Sequence, residues 1–158
     1  MPKPLPQPIV KRIAELPPHV RALRENLERI TLDDYLRAFS DRTTDDFNTS
    51  VYPLERPFEI VDNMLIELAE EGLAAAERAT GPERADDLRR LRDLGVITSD
   101  HCDRLIRCNR VRNATQHAYA DIEPEAVYEA AMILRDEAIP FLRNYVAWLR
   151  ELGFEVGP

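Results

Sequence analysis

An all-helical bundle is the fold that this 158-residue sequence predicts. Three observations carry the prediction. Apolar residues recur at three- and four-residue spacing along every long stretch. No stretch alternates apolar and polar residues in the manner of a half-buried strand. The five glycines, at 72, 81, 95, 153 and 157, stand singly, so no glycine-rich phosphate loop can be assembled. With 44% apolar residues, the chain is long enough to bury one core, and the expected architecture is a bundle of four to six helices.

In chain order, Met1 to Pro8 carries proline at positions 2, 4, 6 and 8, which predicts an extended arm. A short helical stretch, Ile9 to Leu16, is expected to stop at Pro17-Pro18. Val20, Leu23, Leu27 and Ile30 then recur at helical spacing. Thr31 is placed to cap a helix from Leu32 to Ser40, with Asp33 and Asp34 in its first turn. Residues 41–52 are polar and read as a loop. The clearest helix spans about Pro53 to Ala79, on the stripe Ile60, Val61, Met64, Leu65, Leu68, Ala69, Leu73 and Ala76, with Gly81-Pro82 as its stop.

Glu83 to Leu94 is a short helix with Leu88, Leu91 and Leu94 inward, and Gly95 is its C-terminal cap. Thr98 or Ser99 caps the next helix, which is expected to reach Ala118. Pro124 opens a last long helix, whose buried stripe is Val127, Ala131, Leu134, Ala138, Phe141, Leu142, Tyr145 and Leu149, with Pro140 inside it. Three segments follow: a proline-rich arm over 1–17, a helical domain over 18–152 and a tail over 153–158.

The net charge of −8 opposes broad, sequence-blind binding to nucleic acid. Apolar runs are too short for a membrane span, the start does not read as a signal peptide, and a cytoplasmic protein is expected. Cys102 and Cys108, six apart on a helix, point in different directions and cannot bridge. Three histidines and two cysteines do not suggest a metal site, and no cofactor is expected.

The distribution of charge is more informative than its total. Residues 104–120, RLIRCNRVRNATQHAYA, hold four arginines and no acid, so this window is +4 while the rest of a −8 chain carries −12. Arg104 lies four after Asp100 and Arg107 four after Asp103, the favourable acid-first order for helix pairs worth about 0.2–0.5 kcal/mol each. Arg110 and Arg112 have no acid three or four residues away and read as an anion-binding pair, since a guanidinium fork suits phosphate. Arg110, Asn113 and His117 share one stripe of the helix. Arg112 is about 140° around from His117, so convergence of the two would need a loosened helix end or a second copy of the helix across a symmetric dimer.

Arg112-Asn113-Ala114-Thr115-Gln116-His117-Ala118-Tyr119 resembles the R-N-x-x-x-H-x-Y signature of the HEPN superfamily, and more narrowly of its HepT-like ribonuclease toxins. Leu94 to Thr98, the stretch Leu54 to Ala69 with Asp62 inside it, and Ile122 to Val127 with Ile139 to Leu142 are similar to flanking parts of that family. Gln116 and Ala118 stand where it has an apolar residue and a glycine. The resemblance covers roughly residues 20–150 and implies a HEPN-like bundle acting as an endoribonuclease without a metal. It would carry His117 as the proton-transfer group, Arg112 as the stabiliser of phosphorane charge and Asn113 as an orienting group; Arg110 and Arg107, from the same basic stretch, are expected to bind the RNA substrate. It further implies a homodimer and a partner, an MNT-type nucleotidyltransferase antitoxin that blocks the toxin by placing AMP on Tyr119. The alternative reading is a non-catalytic helical module that binds nucleotide or that partner.

Overall fold

A computed structural model describes residues 1–40, 45, 47–117 and 121–157. Among these residues the fold is all-α, with six α-helices and one minimal pair of strands: β1 Lys3–Pro4, α1 Gln7–Arg29, α2 Leu32–Phe39, α3 Tyr52–Ala75, α4 Arg84–Asp93, α5 Ser99–His117, α6 Pro124–Glu151 and β2 Phe154–Glu155. α3 and α6 pack on each other at the centre. α1 lies against both on one side and α5 against both on the other, so that α1 and α5 do not meet, and α4 packs across α3 and α5. No helix of the described residues is long and apolar enough to cross a membrane.

The break expected at Pro17-Pro18 does not occur, because α1 runs through both prolines and crosses the boundary they suggested. An interior proline costs a helix about 3 kcal/mol. Against this, Ile9, Leu16, Val20, Leu23 and Leu27 are all buried on one face of α1, each contributing about 1.5–3 kcal/mol. Tertiary burial on α3 and α6 therefore outweighs the local penalty. Thr31 caps α2 as expected, its side chain accepting from the Asp34 N–H at 3.1 Å.

Part of the polar stretch ahead of α3 is a π-helical turn, Phe47–Val51, which buries Val51. α3 then stops at Ala75, four residues before the expected end. Its termination is built on Glu77, a non-glycine residue at φ 58°. The Glu77 and Arg78 N–H groups donate back to the Ala74 and Leu73 carbonyls at 3.0 and 2.8 Å, the two bonds of a Schellman end. Gly95 (φ 79°) ends α4 in the same way, with Val96 N–H donating to the Leu91 carbonyl at 2.9 Å. Leu88 and Leu91 of α4 are buried, but Leu94, expected inward, is exposed because it is the cap residue after the last helical turn. Along α6 the expected stripe is buried except for the half-buried Leu142, and Trp148 joins it.

The arm is extended through Pro6, as the prolines predict, but Gln7 and Pro8 already belong to α1, and the arm is held. β1 pairs parallel with β2, an element the sequence did not indicate. Lys3 N–H donates to the Gly153 carbonyl at 2.8 Å, and the Lys3 ammonium sits 5.2 Å from the Phe154 ring centre. Lys3 turns its backbone toward β2, so Pro2 and Pro4 turn theirs to the open edge. Lacking N–H groups, they leave that edge with acceptors but no donors, which disfavours a further strand.

Candidate active site on α5 and α3

The arginine-rich segment lies on α5, the penultimate helix, where the sequence placed it. The helix begins with Thr98 Oγ1 accepting from the His101 N–H at 3.1 Å and stays α-helical through His117. The four arginines have four different fates.

Arg104 and Arg107 do not pair along their own helix with Asp100 and Asp103. They reach across to α6 instead, Arg104 Nε to Glu137 Oε1 at 2.7 Å and Arg107 Nη2 to Glu129 Oε1 at 2.9 Å. Helix spacing permits the local pairs, but α6 packs against this flank of α5 and offers carboxylates at the same height. Arg107, expected to bind substrate, is thus half engaged at an exposed ion pair worth about 0.2–1 kcal/mol. Arg110 is exposed and makes no ion pair or side-chain hydrogen bond among the described residues.

Arg112 is buried, with 6% of its side chain exposed, and its Nε donates to Asp62 Oδ2 on α3 at 3.1 Å. Nη1 donates to Gln116 Oε1 at 2.8 Å. Asn109 Nδ2 donates to the same Asp62 oxygen at 3.0 Å, and Asn113, exposed, lies 3.5 Å from Asn109 Oδ1. Burial pushes the Asp62 carboxyl above the usual carboxylate range, opposed by the hydrogen bond from Asn109 and the charge of Arg112. One turn on, Thr115 Oγ1 lies 2.6 Å from the Arg112 carbonyl and 3.2 Å from Glu59 Oε1 of α3, and its single proton serves one of them at a time.

His117 is exposed at the last turn of α5. Because the helix does not loosen before it, the Arg112 and His117 side chains leave α5 about 140° apart, and no hydrogen bond or ion pair joins them within one chain. The structure therefore gathers Arg112, Asn113 and their partners Asp62, Asn109 and Gln116 into one network, and leaves His117 and Arg110 on the adjoining open face. Tyr119 lies outside the described residues.

Sequence spacing along α5 alone could not find Asp62 as the anchor. The available signal was an acid inside the apolar stripe of α3, because a buried carboxylate needs a partner. Cys102 and Cys108 are free and buried, and burial pushes the Cys108 thiol up to about 12.

A family model described as Ribonuclease HepT-like matches residues 21–147, a span that includes the whole of 112–119. No curated protein matches the chain.

Proposed function

The chain belongs to the HepT-like ribonuclease family, and from that premise we propose that it is a metal-independent endoribonuclease, the toxin of a toxin–antitoxin pair in the cytoplasm. The observation that carries the proposal is the family match across the motif, within which His117 is exposed and Arg112 is fixed by Asp62 and Gln116. In the reaction the RNA 2'-oxygen forms a bond to the adjacent phosphorus as the bond to the 5'-oxygen breaks. The products are a 2',3'-cyclic phosphate end and a 5'-hydroxyl end. His117 transfers the proton between the attacking and leaving oxygens. Arg112 faces the phosphorane charge with Nη2, the nitrogen not committed to Asp62 or Gln116. Fixing the other two nitrogens holds the guanidinium in place before charge develops. Asn113 orients the phosphate, and Arg110 and Arg107 bind the flanking backbone.

The 140° divergence supports a homodimer in which His117 of one copy works beside Arg112 of the other. An MNT-type nucleotidyltransferase is the proposed partner. The Tyr119 phenol oxygen would attack the α-phosphorus of ATP, pyrophosphate would leave, and the bound AMP would exclude RNA by bulk and charge. A second reading, a helical module without catalysis, draws on the neutralisation of Arg112 by Asp62 and the net charge of −8.

The deciding experiment is RNA cleavage in the presence of a chelator. Wild type should leave cyclic phosphate ends, and His117→Ala should slow cleavage by about 10²–10⁴-fold, the usual contribution of a proton-transfer group. Wild-type protein that leaves RNA intact favours the second reading, whereas a His117→Ala variant that cuts as fast removes His117 from the proton transfer.

A further inference from the structure

The face that carries His117 continues onto α3, where two residues have no role in the proposed chemistry. α5 descends α3 antiparallel. Asn109 and Arg112 both reach Asp62, and Thr115 reaches Glu59. At 1.5 Å per residue this register sets His117 level with about residue 57 of α3. Arg56 is then beside it along the axis, and Tyr52 is about 7 Å further on.

The angular positions agree. α4 packs on both helices, and its Arg84 donates to Asn63 of α3 at 2.9 Å. Asn63 continues at helical spacing to Arg56 and Tyr52, and Cys102 to Ile106, Arg110, Asn113 and His117. Lower down, the residues of both stripes are exposed: Tyr52 and Arg56 on α3, and Arg110, Asn113 and His117 on α5. There Tyr52 is 56% exposed, unusual for a tyrosine beside a packed core, and Arg56 is exposed. Neither makes an ion pair or a side-chain hydrogen bond among the described residues.

We infer that Tyr52 and Arg56 form a nucleotide subsite next to His117. Tyr52 stacks on the base of a nucleotide flanking the cut and Arg56 pairs with its phosphate, so the substrate is single-stranded RNA with unpaired bases. The inference rests on the ribonuclease reading. A phenol ring offers a stacking face to any base, and a guanidinium offers charge to the backbone. Together they give an acidic protein a local hold on RNA that its overall charge does not.

The test uses the full chain carrying His117→Ala, so that RNA survives, and reads anisotropy of a labelled single-stranded RNA of mixed sequence. Adding Tyr52→Ala should weaken binding about 5-fold to 100-fold, the range of one stacked base, while Tyr52→Phe should bind as the parent does. On an abasic ribose-phosphate chain of equal length, Tyr52→Ala should bind no worse than its parent. Arg56→Ala should weaken binding to both chains and lower the salt slope by about one. Wild-type cleavage together with unchanged binding in Tyr52→Ala overturns the subsite and leaves the ribonuclease intact. Equal losses on normal and abasic chains overturn the stacking role, and a changed sedimentation rate with unchanged RNA affinity identifies the face as a self-association surface instead. Failure of wild type to cleave any RNA removes the ribonuclease reading and the subsite with it.

Discussion

Asp62 and Arg112 are not equivalent halves of their ion pair, and substituting each in turn tests this. Asp62→Asn keeps the shape of the side chain and removes its charge, leaving a guanidinium with 6% side-chain exposure and no counter-ion. Arginine cannot shed its proton, so the variant bears the full loss, about 3–5 kcal/mol for a broken buried pair. That is a large part of the roughly 5–15 kcal/mol stability of a typical domain. Arg112→Met leaves Asp62 as the orphan, but a carboxyl already raised by burial can take up a proton and become neutral.

The sign follows from linkage. An acid whose folded pKa lies above its unfolded value of about 3.9 binds more protons when folded, so stability falls as pH rises between the two values. Arg112→Met, which removes the charge that opposes the shift, should therefore cost less at pH 5 than at pH 8. Asp62→Asn removes this titration altogether, so its cost should not rise with pH. The double variant should be more stable than the sum of the single losses implies. Urea unfolding followed by circular dichroism at the two pH values measures all of this. Equal losses for the two single variants at both pH values, or an Asp62→Asn loss under about 1 kcal/mol, would refute the argument.

Two further outcomes concern stability. A Cβ at Gly72 would lie 2.6 Å from Tyr145 Oη and 2.9 Å from Trp148 Cζ3, so Gly72→Ala should overpack the α3–α6 contact and cost about 1–3 kcal/mol. The loss should appear as a lower thermal midpoint, although alanine is the better helix former. His101 is buried, 3.1 Å from Glu137 Oε2, and burial lowers its pKa despite the pull of Glu137. The folded state then binds fewer protons than the unfolded state, so stability present above about pH 6.5 should decline as pH falls toward the lowered value. His101→Gln should flatten that decline in urea midpoints taken between pH 7.5 and 5.5.

What could be read from sequence followed what is local. The apolar stripes of α3 and α6 and the caps at Thr31 and Gly95 are properties of a few neighbouring residues, and they fixed the class and most of the order. The misses were decided across space. Pro17 and Pro18 stay helical because α3 and α6 bury the far side of α1. Arg104 and Arg107 turn from their own helix to α6, and Arg112 is absorbed by Asp62, fifty residues earlier. The candidate site was legible as a motif and a charge anomaly. Its inward half was not, because a guanidinium reads the same in sequence whether it faces solvent or a carboxylate. Glu77 gave no warning that it would end α3, since residues at positive φ are usually glycine or asparagine.

The pairing of β1 with β2 determines how the molecule can be held. It lies beside Ala75, Ala76 and Glu77, at the C-terminal end of α3, whereas His117 is level with the beginning of that helix. Along α3 the two points are about 28 Å apart. Any polypeptide continued before Met1 or after Gly157 would depart from the far end of the bundle, so a fused domain, an affinity tag or a surface tether at either position would leave the histidine face turned toward solution.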